Sequence, residues 1–374
     1  MMLPAVSGLV LVLAILLEAF ETIVLPRRVS RRLRLTVLFY RTTWIPWRAI
    51  ARGIRRKKLR EGFLSYYGPL SLLVLFIFWA TLLVIGFGLM FYSDSRSDPT
   101  HPVYRTCIYL SGTTFFTLGI GDVTPHTQFE RVLIVVESGL GFGFLALVLS
   151  YLPVIYQAFS RREVNIVLLD ARAGSPPTAA ELLRRHAGPR EMDALELLLR
   201  DWERWSAQIL ESHISYPVVS YFRSQHNNES WLGALAAILD ASALLITDGN
   251  TPCQRQAKLT FAMCRHTVVD LAQVFYATPR DTGPERLPSA DLVRMRQQLA
   301  GAGLHILDTP ESNAKLNKLR QMYEPYLKAL AAHLYVELPP WILAKEVTDN
   351  WRTSAWGRIS GFSPSDKASV ADDH

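Results

Sequence analysis

Residues 70–92 contain no charged side chain. As a helix rising 1.5 Å per residue this run reaches about 35 Å, enough to cross a hydrocarbon core of about 30 Å. Lipid offers the backbone no hydrogen-bond partners, so such a run is committed to a spanning helix. A second run, 132–160, contains a single charged residue, Glu137. Every other part of the chain has to be arranged around these two spans.

Between them lies Thr117-Leu118-Gly119-Ile120-Gly121-Asp122, preceded by a short uncharged helix candidate ending at Phe116. Non-helical backbone at membrane depth is tolerated only where it is buried in protein or lines a watery cavity. A cation entering a pore sheds its water shell, and rings of carbonyl oxygens can replace that shell. Carbonyls line a narrow path when the backbone visits positive φ, which glycine does at no steric cost, hence Gly119 and Gly121. Thr117 can add a hydroxyl oxygen at the inner end. Asp122 falls just outside the last carbonyl, where a carboxylate can brace the loop and attract cations.

The order spanning helix, half-helix, Thr-x-Gly-x-Gly-Asp, spanning helix resembles the pore unit of tetrameric potassium channels over residues 70–160, under a third of the chain. The resemblance implies a homotetramer, with K+ held by the carbonyls of Thr117, Leu118, Gly119, Ile120 and Gly121. It implies no cofactor beyond the permeant ion, no enzymatic activity, and a bacterial inner (plasma) membrane location. There are departures. The family's commonest filter has valine and then an aromatic residue where this chain has Leu118 and Ile120. Phe116 stands where threonine is usual, and the pore helix lacks paired tryptophans. Ile120 cannot join the hydrogen-bonded belt through which the aromatic residue supports the filter. A potassium channel is therefore the leading reading. A nonselective cation channel on the same scaffold is the alternative, and a membrane-anchored signalling or interaction protein is the reading from another class.

Charge sets the topology. Between Arg27 and Glu61 lie thirteen Arg or Lys and one acid, so this stretch carries +12 and the remainder −5 of the overall +7. Flanked by apolar runs, the basic stretch marks the cytoplasmic side rather than a nucleic-acid partner, and Arg161-Arg162 after the second span agrees. The expected division is 1–25, an added N-terminal membrane helix; 26–66, a basic interfacial segment; 67–160, a pore domain; and 161–374, a helical cytosolic domain. Within the pore domain the outer helix is expected at 68–92, the pore helix at 104–116, the filter at 117–122 and the inner helix at 129–160. The fold class is an all-α, multi-pass membrane protein: a pore-loop channel unit with an extra N-terminal helix and an all-α cytosolic C-terminal domain.

Glu18 and Glu21 share a helix face and are expected to snorkel or to meet the following arginines. Proline at Pro46 is expected to interrupt the basic segment. Arg31, Arg32, Arg34, Arg55, Arg56, Lys57 and Lys58 either set topology or bind anionic lipid. Glu137 is costly in lipid and is expected behind the filter or pore helix as filter support, together with Asp122. Gly139, Gly141 and Gly143 read either as close helix packing or as a hinge, with Gly139 and Gly143 the hinge residues. Pro153 is placed to bend the inner helix at a gate.

In 161–374 helical periodicity recurs at 190–213, 229–246, 254–276, 289–301 and 312–335, with Thr178 or Ser175 capping a helix near Ala179. Residues 162–170 read as the end of the inner helix or as a short strand. No catalytic or metal-ligand spacing emerges, and Cys107, Cys253 and Cys264 do not make a disulfide framework. The domain is expected to bias the gate through a cytosolic ligand or partner that the sequence does not name.

Overall fold

The computed structural model describes residues 2–25, 35–95, 103–188, 191–226, 228–248, 251–279 and 283–345. Every regular element among the described residues is helical. The chain divides into two compact units, Met1–Phe159 with Ser212–Arg223, and Ser160–Glu211 with Ser224–His374.

The first unit begins with α1 (Met2–Ala19), which ends in a single π-turn, Phe20–Val24. There follow α2 (Leu35–Gly53), α3 (Lys57–Ser65), α4 (Tyr67–Ser95), α5 (Tyr104–Phe115) and α6 (Gln128–Ala173), whose first part lies in this unit. Leu3–Val24, Lys57–Asp94 and Gln128–Ala173 are each long and apolar enough to cross a membrane. Small residues let α1 and α4 approach closely. A Cβ on Gly86 would sit 2.7 Å from Val12 Cγ2, and one on Gly8 would run into the Gly86 carbonyl oxygen. Such close contact is how helices associate in lipid, where the hydrophobic effect gives no preference for a neighbouring helix.

Among the described residues the Glu18 carboxylate accepts from the Thr36 amide at 3.1 Å and the Thr36 hydroxyl at 2.9 Å, at the start of α2. The first turn of a helix carries unpaired N–H groups and the positive dipole end, so a buried carboxylate is stabilised there. Arg27, Arg28, Arg31, Arg32 and Arg34, which Glu18 and Glu21 are expected to meet, lie outside the described residues. One local expectation is corrected: Pro46 does not interrupt the basic segment; it lies inside α2, and the break falls after Gly53. Proline removes only one hydrogen bond, and α2 is held from its buried face by Phe39, Trp44 and Ala51.

Ser212–Arg223, expected in the helical domain, packs into the first unit instead. It contains a 3-10 turn, Pro217–Tyr221. The Tyr221 ring lies 5.1 Å from Trp44, 5.3 Å from Tyr67 and 5.9 Å from Tyr40, the last pair stacked. Tyr216 meets Tyr151 of α6 at 5.7 Å, and Phe222 meets Phe159 at 5.6 Å. Phe222 also fills the space over Gly68, and Arg223 pairs with Glu61 at 3.7 Å. Each aromatic pair adds about 0.5–1.5 kcal/mol beyond its buried area, so together they form a substantial clasp on α2, α4 and α6.

The second unit holds the end of α6, then α7 (Ala179–Arg185), most of α8 (Glu191–Ser215), α9 (Trp231–Asp248), α10 (Gln254–Val274), α11 (Ser289–Gly301), α12 (Pro310–Gln321) and α13 (Glu324–Leu334). Residues 162–170 are helix, not strand. Thr178 caps α7 by accepting from the Glu181 amide at 3.2 Å, while Ser175 bonds Asp170. Glu181 also pairs with Arg184 and Arg185; burial alone would raise its carboxyl, but the two arginines hold it down at about 2.

By length and hydropathy α9 could cross a bilayer, yet all eighteen of its residues are buried within this unit. It is the core helix. The carboxylate in its middle, Asp240, takes a bidentate pair from Arg286 at 2.5 and 3.2 Å and the Tyr323 hydroxyl at 2.6 Å. Arg286 also donates to the Pro339 carbonyl at 3.0 Å, and Glu324 accepts from Arg320 and Trp341 at 3.1 and 3.3 Å. Burial pushes Asp240 up to about 6 against the pull of Arg286 and Tyr323. Removing one partner of a buried ion pair leaves an uncompensated charge, which costs about 3–5 kcal/mol. Arg286→Met should therefore lower the denaturant midpoint of this unit sharply, followed by tryptophan fluorescence, whereas exposed Arg204→Met should leave it within about 0.5 kcal/mol.

Candidate ion-conduction site

The site is built on α5, held between α4 and α6. On the α4 side, a Cβ on Gly88 would sit 3.0 Å from Ile108. Ser111 of α5 is fully buried and its hydroxyl lies 2.9 Å from the Val84 carbonyl; it also contacts the Glu137 carboxyl of α6. The serine hydroxyl thus links the backbone of α4 to the carboxyl of α6 across α5. The sole charged residue of the second apolar run is thereby turned away from lipid, against the pore helix. On the α6 side, a Cβ at Gly141 would collide with the Phe115 carbonyl at the end of α5. Of the three clustered glycines, Gly141 is therefore the one that packs. Gly139 and Gly143 have nothing within 4 Å of an added Cβ and sit on the exposed face. The α6 helix runs unbroken through both and through Pro153.

Past Phe115 the chain leaves the helix. The Leu118 amide turns back to the Thr113 carbonyl at 2.8 Å. Thr117, Gly119 and Gly121 then take φ of 55°, 57° and 81°, while Leu118 and Ile120 between them do not. This alternation of hand turns successive carbonyls to one side of the backbone, the arrangement a carbonyl-lined filter uses. A positive φ is strained for a non-glycine residue such as Thr117, and strain of this kind gathers at functional sites. Residues 116–122 are all exposed, Leu118 at 63% and Ile120 at 60%. The C-terminal end of α5, with its partial negative charge, lies at the start of this loop, where it favours a cation.

The far side of the loop is tied down. Asp122 accepts from the Tyr109 hydroxyl of α5 and from the Val123 amide at 3.1 Å. Thr127 and Glu130 form a reciprocal cap on α6. The Thr127 hydroxyl oxygen accepts from the Glu130 amide at 3.1 Å, and the Glu130 carboxylate accepts from the His126 and Thr127 amides at 2.7 and 3.4 Å. The Thr127 hydroxyl donates to Asp94 of α4 at 2.5 Å. Sequence reasoning missed Tyr109 and Ser111, because nothing local marks a pore-helix hydroxyl. The Thr127-x-x-Glu130 spacing is the local signal that marks the α6 cap. Among the described basic residues, Arg55, Arg56, Lys57 and Lys58 are all exposed around the start of α3. No cluster of metal-ligating side chains occurs among the described residues.

A re-entrant half-helix followed by a loop of alternating hand, between two membrane helices, defines the pore-loop class of membrane protein. Residues 75–157 match the family model described as "Ion channel", so this segment is an ion-channel domain. Two curated proteins are similar in sequence. The chain is 22% identical to the uncharacterized membrane protein YdjJ of Bacillus subtilis (strain 168), over 72% of this chain and 78% of that one. It is 33% identical to two pore potassium channel c of Oryza sativa subsp. japonica, over 21% of this chain and 18% of that protein. No solved structure matches the chain.

An isostere that can still hydrogen-bond with Ser111 should be tolerated at position 137. Glu137→Gln is expected to keep the thermal stability of the detergent-solubilised protein. Glu137→Val, which leaves Ser111 without this partner, is expected to lower stability by about 1–3 kcal/mol, read as a drop in melting temperature.

Proposed function

We propose that the chain is one subunit of a homotetrameric, potassium-selective channel through which K+ moves passively. The observation that carries this reading is the loop Thr117–Asp122 itself. Its backbone alternates in hand, is exposed in the single chain, and lies between two membrane helices. Exposed non-helical backbone is not stable against lipid. Further copies of the same loop, enclosing a watery path, supply the missing surroundings. One chain carries one such loop, so four copies complete the ring of the channels it resembles. K+ would be held by the carbonyls of Thr117, Leu118, Gly119 and Ile120, with Gly121 at the outer end. Similarity to a plant protein named as a potassium channel supports the choice of ion. Bracing of Asp122 by Tyr109 supports a filter of defined width despite Ile120. A nonselective channel is favoured by the same Ile120, whose side chain offers no hydrogen bond to hold that width.

The positive-inside distribution supports a plasma-membrane protein with its C-terminus in the cytoplasm. Gating is assigned to the helical second unit; within the first unit the Ser212–Arg223 segment meets α6 at Tyr151 and Phe159, on either side of the stretch after Pro153. A cytosolic ligand would act by binding more tightly to one gating state than to the other. Gly139 and Gly143 stay the hinge positions of this reading.

The decisive measurement is the reversal potential of the purified protein in a planar bilayer, with K+ on one side and Na+ on the other. Reversal near the potassium equilibrium potential is expected; reversal near zero with robust current would establish the nonselective channel. Gly119→Ala and Gly121→Ala, which force a side chain into positive φ, should abolish flux while the oligomer survives. Normal flux in both would sink the pore assignment. The exposed Arg55, Arg56, Lys57 and Lys58, with Arg31, Arg32 and Arg34, are proposed to contact anionic headgroups. Flux into liposomes should then rise with anionic lipid content, and lose that dependence when Arg55–Lys58 are changed to glutamine.

A further inference from the structure

The α6 helix has forty-six residues, about 69 Å of helix, more than twice the thickness of a hydrocarbon core. By position 160 it has already run about 42 Å from Val132, the full width of a bilayer with its headgroups. The remaining stretch, Ser160–Ala173, is two-faced. On one side Arg162, Ile166, Leu169 and Ala173 are buried in the second unit. The Arg162 carbonyl accepts from the Trp205 indole at 3.3 Å, and Glu163 pairs with Arg162 at 2.9 Å. The opposite side exposes Val164 (55%), Val167, Leu168 (57%) and Ala171. Their spacing of three, one and three residues makes a single apolar stripe. Lipid tails do not extend this far along the helix, so the stripe has no hydrocarbon to face.

The stripe is not an isolated patch. From Gly139 onward α6 exposes a residue at every third or fourth position, through Phe142, Ala146 and Leu149, and the phase does not shift before Ala171. One face of one helix therefore runs from the filter region to the end of α6. In the tetrameric reading, on which this inference rests, the upstream part of that face is where α6 looks toward the other subunits and the conduction path.

We propose that Val164, Val167, Leu168 and Ala171 pack against the same residues of the other copies, so that the four α6 ends form a bundle beyond the pore. The partner is a second copy of this chain. Uncharged apolar side chains at these offsets suit the seam of a parallel helical bundle, and Arg161 and Arg172 stand at its two ends. The second unit grips the opposite side of the same two helical turns at Arg162, Ile166 and Leu169. A change within that unit would thus reach the bundle through a helix continuous with the pore.

The test is oxidative crosslinking of the full-length protein in lipid nanodiscs, with Val164→Cys and Leu168→Cys. Leu197→Cys, 58% exposed on α8, is the control. All three native cysteines are buried, so they contribute little background. Disulfide-linked dimers are expected from positions 164 and 168, at least tenfold above the control. Mass by light scattering separates the possible failures. An intact tetramer with no crosslink above the control would overturn the bundle and leave the pore reading standing. A monomer would overturn both.

Discussion

Lipid leaves no backbone N–H or C=O free to find water, and the structure of the first unit follows from that one constraint. It makes the apolar runs helical, and it makes the seven residues after α5 an exception that needs enclosure. A loop with positive φ at Thr117, Gly119 and Gly121 has given up the hydrogen bonds that a helix would have supplied. In the proposed channel the carbonyls of this loop would be the groups that meet the cation.

Holding such a loop requires polar contacts inside a membrane protein. Ser111 meets Glu137 and the Val84 carbonyl, Tyr109 meets Asp122, and Thr127 and Glu130 cap one another at the start of α6. Gly141 lets α6 press directly on the last carbonyl of α5. Glu18 follows the same rule at the other end of the unit, where its carboxylate meets the first turn of α2. In the second unit the rule governs protein interior instead of lipid: Asp240, in the middle of an apolar core helix, is matched by Arg286 and Tyr323.

Some of this was legible from residue order. The two spans and the loop between them could be read because charge-free length and alternate glycines are local signals, and the match of residues 75–157 to an ion-channel family agrees with them. The cap at Thr178 was legible for the same reason. Pro46 misled, because a proline's local cost is outweighed when the helix around it is packed through Phe39 and Trp44. Ser212–Arg223 could not have been assigned from its own composition. Nothing in Tyr-Pro-Val-Val-Ser-Tyr-Phe-Arg states that its aromatic rings belong among Tyr40, Trp44 and Tyr67.

The sequence by itself determined which segments enter lipid, which side carries the positive charge, and where the backbone must leave helical geometry. Those properties depend on runs of neighbouring residues and on the absence of a Cβ. Only the tertiary structure decided what Glu18, Glu137 and Asp240 are paired with, which of the three glycines on α6 packs, and that α9, apolar enough to span a bilayer, is a buried core helix. A carboxylate's partner and a helix's neighbours are brought together from distant parts of the chain, and residue order does not record that proximity.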